Sequence, residues 1–330
     1  MIPELVPLSL SLAALLSLAS LIAYLLGRRS ESETIKNLKS RINSWWVMSG
    51  IFLLVLCLGP LASVLMFTLV SFLAFREFIT LTPTKAADHK PLFWSFFVII
   101  PLHYALVAIG WWGLSSIFIP VYAFAFLPCR RVLAGIPEGF LSGVARLQWG
   151  LLVCVYFVSH LPLLLQIPIE NFEGKNALLL FFLVVCAQSS DVFQYIWGKL
   201  LGKRKVAPEV SPHKTIEGLV GGVATTTLLG AGLSVLTPFS ILEGAVFAFL
   251  ICLAGFLGGL VMSAIKRDLG AKDWGASIPG HGGFMDRIDS LCFAAPLFFH
   301  LVNFFYSSGL PVRPVGGLAE AIPFLNLLLV

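Results

Sequence analysis

Residues 241–263 read ILEGAVFAFLICLAGFLGGLVMS, and no charged side chain follows Glu243 within this stretch. A helix needs about 20 consecutive, mostly apolar residues to cross the hydrocarbon core of a bilayer. The stretch meets that length. Its apolar residues are continuous rather than alternating, which excludes a strand of a transmembrane β-barrel. It therefore predicts a membrane-spanning α-helix.

Similar apolar runs occur on both sides of this stretch. They lie near residues 5–26, 44–59, 60–80, 92–109, 111–128, 149–166, 177–200, 216–236 and 288–308. The chain is 58% hydrophobic and 12% charged, whereas an ordinary soluble domain carries roughly twice that charge. We predict an all-α polytopic membrane protein with about ten transmembrane helices. The first run is too long for a secretory signal, so we expect it to be retained as a span.

Lysine and arginine are concentrated in alternate connections between the predicted spans. If the N-terminus lies outside, the odd-numbered connections are cytoplasmic and carry this positive charge, as the positive-inside rule requires. Their basic residues are Arg28, Arg29, Lys36, Lys39, Arg41, Lys85, Lys90, Arg130, Arg131, Arg146, Lys203, Arg204, Lys205, Lys214, Lys266, Arg267, Lys272 and Arg287. The net charge of +5 thus reflects membrane orientation and does not indicate nucleic-acid binding. The short loops are typical of a bacterial inner membrane.

Two polar segments border these spans. The stretch Gly27–Asn43 is interpreted as a short interfacial helix. Arg76 and Glu77 end the third span, and we expect both to extend their side chains to the membrane interface.

The segment 263–289, SAIKRDLGAKDWGASIPGHGGFMDRID, is unusually rich in charge for so apolar a chain. Charged groups beside a bilayer are costly, which makes this segment a candidate functional site. Lys266 and Arg267 lie at the end of the ninth span, where a helix C-terminus favours cations that hold anionic oxygens. The glycines around His281 allow backbone amides to approach a phosphate. An ordinary charged loop is the alternative.

Asp286 and Asp289 open the tenth span three residues apart, so they share one helix face. Carboxylate oxygens are the ligands that Mg²⁺ prefers, and Mg²⁺ usually shares them with substrate phosphates. This pattern predicts a Mg²⁺ site.

Two further features lie upstream. Asp191 falls within the seventh span, where a carboxylate usually faces the bundle interior or a wet cavity; a packing network with Ser190 and Gln194 is the alternative. The loop after this span supplies Ser211, Lys214 and Thr215 just before an apolar helix, and these are candidate phosphate ligands. No phosphate-binding P-loop and no dinucleotide fingerprint is present in the sequence.

Together these residues resemble the CDP-diacylglycerol synthase (phosphatidate cytidylyltransferase) family. The family signature is Ser-x-x-Lys-Arg, four residues, Lys-Asp, then Pro-x-His-Gly-Gly-x-x-Asp-Arg-x-Asp. It is met here, without a gap, by Ser263, Lys266, Arg267, Lys272, Asp273, Pro279, His281, Gly282, Gly283, Asp286, Arg287 and Asp289. The stretch 211–218 is similar to the family element Ser-Pro-x-Lys-Thr-x-Glu-Gly.

The chain departs from the family pattern at two positions. Ser190 replaces the usual Asn before Asp191. Gly259 stands where many bacterial members have an Asp that binds metal, whereas the eukaryotic branch also has Gly-Gly there. The resemblance thus leaves open a divergent member with an altered lipid substrate.

The resemblance implies that CTP and phosphatidate are the substrates, that Mg²⁺ is the cofactor, and that CDP-diacylglycerol and pyrophosphate are the products. It implies catalytic roles for Asp286, Lys266, Arg267 and Asp191. The implied metal ligands are Asp286, Asp289 and Asp273. The implied substrate-binding residues are Ser211, Lys214, Thr215, Glu217, Ser263, Lys272, His281, Gly282, Gly283 and Arg287.

We divide the chain into a scaffold of transmembrane helices (residues 1–175), a catalytic transmembrane region with cytoplasmic loops (176–310) and a C-terminal tail (311–330). A homodimer is left open as the oligomeric state. Alternative functions are a CTP-dependent enzyme for another lipid phosphate or a polyprenol, and a transporter.

Overall fold

The computed structural model describes residues 5–29 and 33–308, so the predicted tail over 311–330 lies outside the described residues. Ten helices within the described part are long and apolar enough to cross a membrane. Their bounds are α1 Leu5–Arg29, α2 Glu33–Leu58, α3 Pro60–Leu81, α4 Ala86–Ala108, α5 Trp112–Val132, α6 Phe140–Gln166, α7 Ala177–Leu201, α8 Ile216–Leu236, α9 Ile241–Asp268 and α10 Met285–Tyr306. The predicted polytopic all-α fold is confirmed.

Several helices are longer than the apolar runs from which they were predicted. Because α2 begins at Glu33 and continues to Leu58, the interpretation of Gly27–Asn43 as a separate interfacial helix is wrong. Similarly, α6 begins at Phe140, well before its predicted span. Hydropathy marks only the part of a helix that lies in hydrocarbon, whereas helical hydrogen bonding continues into polar ends.

The core lies where α3, α6, α7, α9 and α10 pack together. Phe298 of α10 illustrates this packing: it stacks on Phe182 of α7 with ring centroids 5.7 Å apart, and meets Phe239 and Phe247 edge to face. Such aromatic pairs add about 0.5–1.5 kcal/mol each to the effect of burial. The first helix is peripheral.

A short hairpin precedes α8. Its strands, β1 (Lys205–Ala207) and β2 (Ser211–Thr215), are antiparallel. The hairpin leads directly into α8, because the Thr215 hydroxyl accepts a hydrogen bond of 3.0 Å from the Gly218 amide and caps the helix.

Contacts between odd-numbered connections place them at the same end of the helices. Lys85, between α3 and α4, donates to Glu138, between α5 and α6, at 2.8 Å. The hydrogen bond lowers the pKa of the Glu138 carboxyl. These two connections thus lie at the same end of the molecule.

Candidate active site

Asp286, in the first turn of α10, is the central side chain of the segment between α9 and α10. Its Oδ1 accepts a hydrogen bond of 2.7 Å from Lys266 Nζ, at the end of α9. Its Oδ2 accepts from two backbone amides, Trp274 at 2.8 Å and Gly283 at 3.0 Å. One carboxylate therefore joins the end of α9, the loop over residues 269–284 (the α9–α10 loop) and the start of α10.

Glu77 of α3 binds the same loop and the start of α10 through two hydrogen bonds. It is 7% exposed, accepts a hydrogen bond of 2.7 Å from the Ser277 hydroxyl, and accepts one of 3.0 Å from the Met285 amide. The expectation that Glu77 extends to the interface is wrong, although Arg76 beside it is exposed. Ser71, Ala74, Phe75 and Phe78 on the buried face of α3 show the helical spacing that could have revealed this.

Three more contacts fix the loop to helices near the N-terminus. Trp274 is buried and stacks on Phe78 of α3, with centroids 5.4 Å apart. On the outer side, Ser44 of α2 donates to the Pro279 carbonyl at 2.8 Å and Arg41 Nε donates to the Gly280 carbonyl at 3.1 Å. The loop is therefore held between α2 and α3.

Lys214, at the end of the hairpin, reaches the α9 helix. Its Nζ lies 4.7 Å from the centroid of the Phe256 ring, and a Cβ at Gly259 would lie 2.9 Å from that nitrogen. The glycine thus leaves the space that the ammonium group occupies. Burial lowers the pKa of Lys214, while the charges of Asp191 and Asp289 act in the opposite direction.

Asp191 and Asp289 complete the cluster. Both side chains are half-buried, and they interact electrostatically with each other, with Lys214 and with Arg287. Asp289 Oδ1 accepts a hydrogen bond of 2.8 Å from the Ser290 amide. The structure thus brings residues from α7, the hairpin, α9 and α10 to one place, as predicted for Asp191, Lys214, Lys266, Asp286 and Asp289.

Other predicted site residues occupy the rim or support the backbone. Arg267, Lys272 and Asp273 are exposed, and Arg267 Nη1 donates to the Ala271 carbonyl at 2.8 Å. Glu217 accepts hydrogen bonds from the backbone amides of Lys203 and Arg204. These contacts serve the fold of the loops, and they bring none of the four residues into the central cluster.

Ser263, Thr215 and Ser211 also have structural partners or positions. The Ser263 hydroxyl donates to the Gly259 carbonyl at 2.6 Å, Thr215 caps α8, and Ser211 opens the second strand of the hairpin.

His281, between Gly282 and Gly280, is buried and its ring meets Trp45 edge to face at 6.1 Å. Burial lowers the pKa of His281, and the Arg287 charge lowers it further. Both effects favour the neutral imidazole over the charged one.

The expected Mg²⁺ ion would need substrate phosphates as further ligands at the start of α10. Among the described residues, no three Asp, Glu, His or Cys side chains are grouped closely enough to hold an ion by themselves. Asp286 Oδ1 accepts a hydrogen bond from Lys266 Nζ, and Asp289 Oδ1 accepts one from the Ser290 amide, so a cation would share these oxygens with hydrogen-bond donors. Mg²⁺ is usually bound by one or two carboxylates plus phosphate oxygens, and Asp286 and Asp289 are the carboxylates that would supply the protein ligands. Exposed Asp273 is a poorer fit.

Known proteins are similar to this chain over most of its length. A model described as the Cytidylyltransferase family matches residues 39–305. A protein of Escherichia coli (strain K12) named Uncharacterized protein YnbB is 42% identical over 297 residues, covering 89% of this chain and 97% of that protein.

Two further relatives are named phosphatidate cytidylyltransferase. The protein of Bacillus subtilis (strain 168) is 28% identical over 281 residues, which is 82% of this chain and 99% of that protein. The protein of Staphylococcus saprophyticus is 42% identical over 127 residues, which is 38% of this chain and 48% of that protein.

Proposed function

Because the chain belongs to the cytidylyltransferase family, we propose that this membrane nucleotidyltransferase transfers the cytidylyl group of CTP to phosphatidate. The products are CDP-diacylglycerol and pyrophosphate. The observation that carries the proposal is the cluster of Lys214 and Lys266 with Asp191, Asp286 and Asp289 at one end of a bundle of apolar helices. A phosphate site at the membrane edge suits a lipid acceptor and a soluble nucleotide.

In the proposed reaction, a phosphate oxygen of phosphatidate attacks the α-phosphorus of CTP. The bond from that phosphorus to the oxygen bridging to the β-phosphate breaks, and pyrophosphate leaves with the electron pair. Positioning and charge neutralisation dominate catalysis of this kind. Lys214 and Lys266 supply positive charge, and Asp286 keeps the Lys266 ammonium in place.

Mg²⁺, held by Asp286 and Asp289 with phosphate oxygens, would neutralise charge on the transferring and leaving phosphates. Asp191 faces the same cluster and would orient the cations around it. The glycine loop around His281 would act through Asp286, to which the Gly283 amide donates.

The proposed location is a bacterial inner membrane with the active site facing the cytoplasm. It is supported by the basic residues of the odd-numbered connections, and by the contacts of Arg41 and Glu77 with the loop that carries part of the cluster. A homodimer stays a prediction.

The test uses purified full-length protein in detergent micelles with phosphatidate and CTP labelled at either the α- or the γ-phosphate. Cytidylyl transfer places the α label in the lipid and the γ label in pyrophosphate, and chelating Mg²⁺ should abolish both products. A lipid that carries the γ label instead would identify a kinase. Substrate flux across liposomes without CTP consumption would identify a transporter.

A departure from the family pattern keeps a different lipid phosphate as the second candidate acceptor. Lys214 Nζ occupies the space beside Gly259, where the resemblance leads one to expect a carboxylate in many bacterial members. The same assay with a bacterial lipid extract and with polyprenyl phosphate separates the acceptors. If the lipid extract gives an α-labelled product and phosphatidate gives none, the acceptor is another lipid of the extract.

A further inference from the structure

Glu77 makes contacts unlike those of Asp286, which accepts a hydrogen bond from Lys266. Its two carboxylate oxygens accept from Ser277 in the α9–α10 loop and from the backbone amide of Met285. Neither contact involves a cation. The side chain comes from α3, 200 residues before Ser277 in the sequence.

The Met285 contact gives Glu77 a defined physical role. Met285 is the first residue of α10, and the first amides of a helix have no partner within the helix. Glu77 supplies an acceptor for one of them, and a negative group at a helix N-terminus is favoured by the helix dipole. Phe284, at the usual capping position, makes no side-chain cap. A residue of α3 therefore caps α10.

Backbone packing around Glu77 leaves little room for another arrangement. A Cβ on Gly275 would lie 2.9 Å from Glu77 Oε1, and one on Gly283 would overlap the carboxylate. The loop closes on Glu77 at both glycines. Gly283 is also the residue whose amide donates to Asp286, so the two carboxylates contact the same short piece of backbone from different sides.

We propose that Glu77 is a positioning residue for cytidylyl transfer: it sets the start of α10 and the loop before it, and thereby places Asp286 and Asp289. The catalytic part of this inference rests on the proposed function. Glu77 itself need not touch substrate. Its loss would misplace reacting groups by a fraction of a helical turn, and a displacement of 1 Å can cost about 100-fold in rate.

The experiment compares Glu77→Gln and Glu77→Ala with wild type and with the control Glu243→Gln. Glu243 caps the start of α9 by accepting from the Ser240 amide, so the control makes the same chemical change at another helix N-terminus. Turnover is measured per folded molecule, as counted by size-exclusion chromatography, at saturating CTP and phosphatidate.

We expect kcat to fall about 10-fold in Glu77→Gln, which keeps one carbonyl acceptor, and about 100-fold in Glu77→Ala. The KM for phosphatidate should change less than about threefold, because the variants misplace catalytic groups rather than remove a binding contact. Glu243→Gln should stay within about twofold of wild type. Wild-type kcat per folded molecule in Glu77→Ala would overturn the positioning role.

Hydrogen–deuterium exchange on the same proteins provides a readout that needs no turnover. Amides over 275–286 should exchange faster in Glu77→Ala than in wild type and be unchanged in Glu243→Gln. Unaltered exchange in Glu77→Ala would overturn the placement of α10 by Glu77. If wild type transfers no cytidylyl group while this exchange difference is present, the proposed function fails and the structural part of the inference stands.

Discussion

Two buried ion pairs lie at the same end of the molecule and differ in their surroundings. Arg131 Nε donates to Asp88 Oδ1 at 2.6 Å, and Lys266 Nζ donates to Asp286 Oδ1 at 2.7 Å. In both pairs a backbone amide also donates to the second carboxylate oxygen, from Lys85 to Asp88 and from Gly283 to Asp286.

The surroundings decide what each pair can do. Arg131 is fully buried beside the Phe140 ring, and a Cβ at Gly143 would lie within 3.0 Å of its guanidinium group. That pair joins α4 to α5 and is enclosed by α6. The Lys266 pair instead adjoins the half-buried Asp191, Asp289 and Lys214. The two pairs thus differ in that carboxylates and a lysine adjoin Lys266 and Asp286, whereas the Asp88 pair has the cation Arg146 as its charged neighbour.

Apart from Asp286 itself, the largest expected effect is at Lys266. Lys266→Met keeps an apolar stem of similar length but removes the ammonium group, which we expect to lower kcat by about 1,000-fold through lost charge stabilisation. Cytidylyl transfer per folded molecule measures it. If the variant keeps a tenth or more of wild-type activity, Lys266 contributes only to packing.

The next largest effect is expected at Asp88, in the other buried ion pair, and it concerns stability. Asp88→Asn leaves the Arg131 charge buried without a counter-charge, and loss of one partner of a buried pair costs about 3–5 kcal/mol. We expect a lower midpoint of thermal unfolding in detergent and a lower folded yield, with kcat of the folded fraction close to wild type. A kcat that drops as far as in Lys266→Met would show that the two regions are not distinct.

A smaller effect is expected at Gly259. In Gly259→Ala the new Cβ would lie 2.9 Å from Lys214 Nζ, so the flexible lysine end must move while the helix is preserved. We expect kcat to fall about 10-fold, because a charge-stabilising group that is displaced should cost less than one that is removed. Gly232→Ala is the matched control, because no atom lies within 4 Å of a Cβ there. Equal activity of both variants would exclude a role for the Lys214 position.

The smallest effect is expected at Asp273. This side chain is exposed on the outer part of the α9–α10 loop, and substitutions at such positions usually change free energies by less than about 0.5 kcal/mol. Asp273→Asn should keep kcat and the Mg²⁺ concentration for half-maximal activity within about twofold of wild type. A tenfold rise in the Mg²⁺ concentration for half-maximal activity would instead indicate that Asp273 is a metal ligand.

The spans were predictable because a bilayer imposes a length and a composition on each helix separately. Asp286 and Asp289 were predictable as a pair for a similar reason, since their spacing puts both on one face of a single helix. Such features need only local sequence. Helix ends were less well predicted, because α2 and α6 continue into polar residues that hydropathy excludes.

Glu77 and the Lys214–Gly259 contact depend on packing between distant segments. Adjacent residues on a helix point about 100° apart, which is why Arg76 is exposed while Glu77 is buried, and likewise why Arg267 is exposed while Lys266 is buried. The sequence places both members of such a pair at the end of a span, but it does not show which side chain is buried. Only the arrangement of neighbouring helices decides which one enters the cluster.

The most direct test of the account is Asp286→Asn, assayed with α-labelled CTP and phosphatidate beside wild type and Asp88→Asn. Asn keeps the size of the side chain and removes the charge that holds Lys266 and, in the proposal, Mg²⁺. The account predicts a folded, membrane-inserted Asp286→Asn protein that transfers no measurable label to lipid, while folded Asp88→Asn remains active. Labelled lipid from Asp286→Asn at the wild-type rate would contradict the assignment of this cluster as the active site.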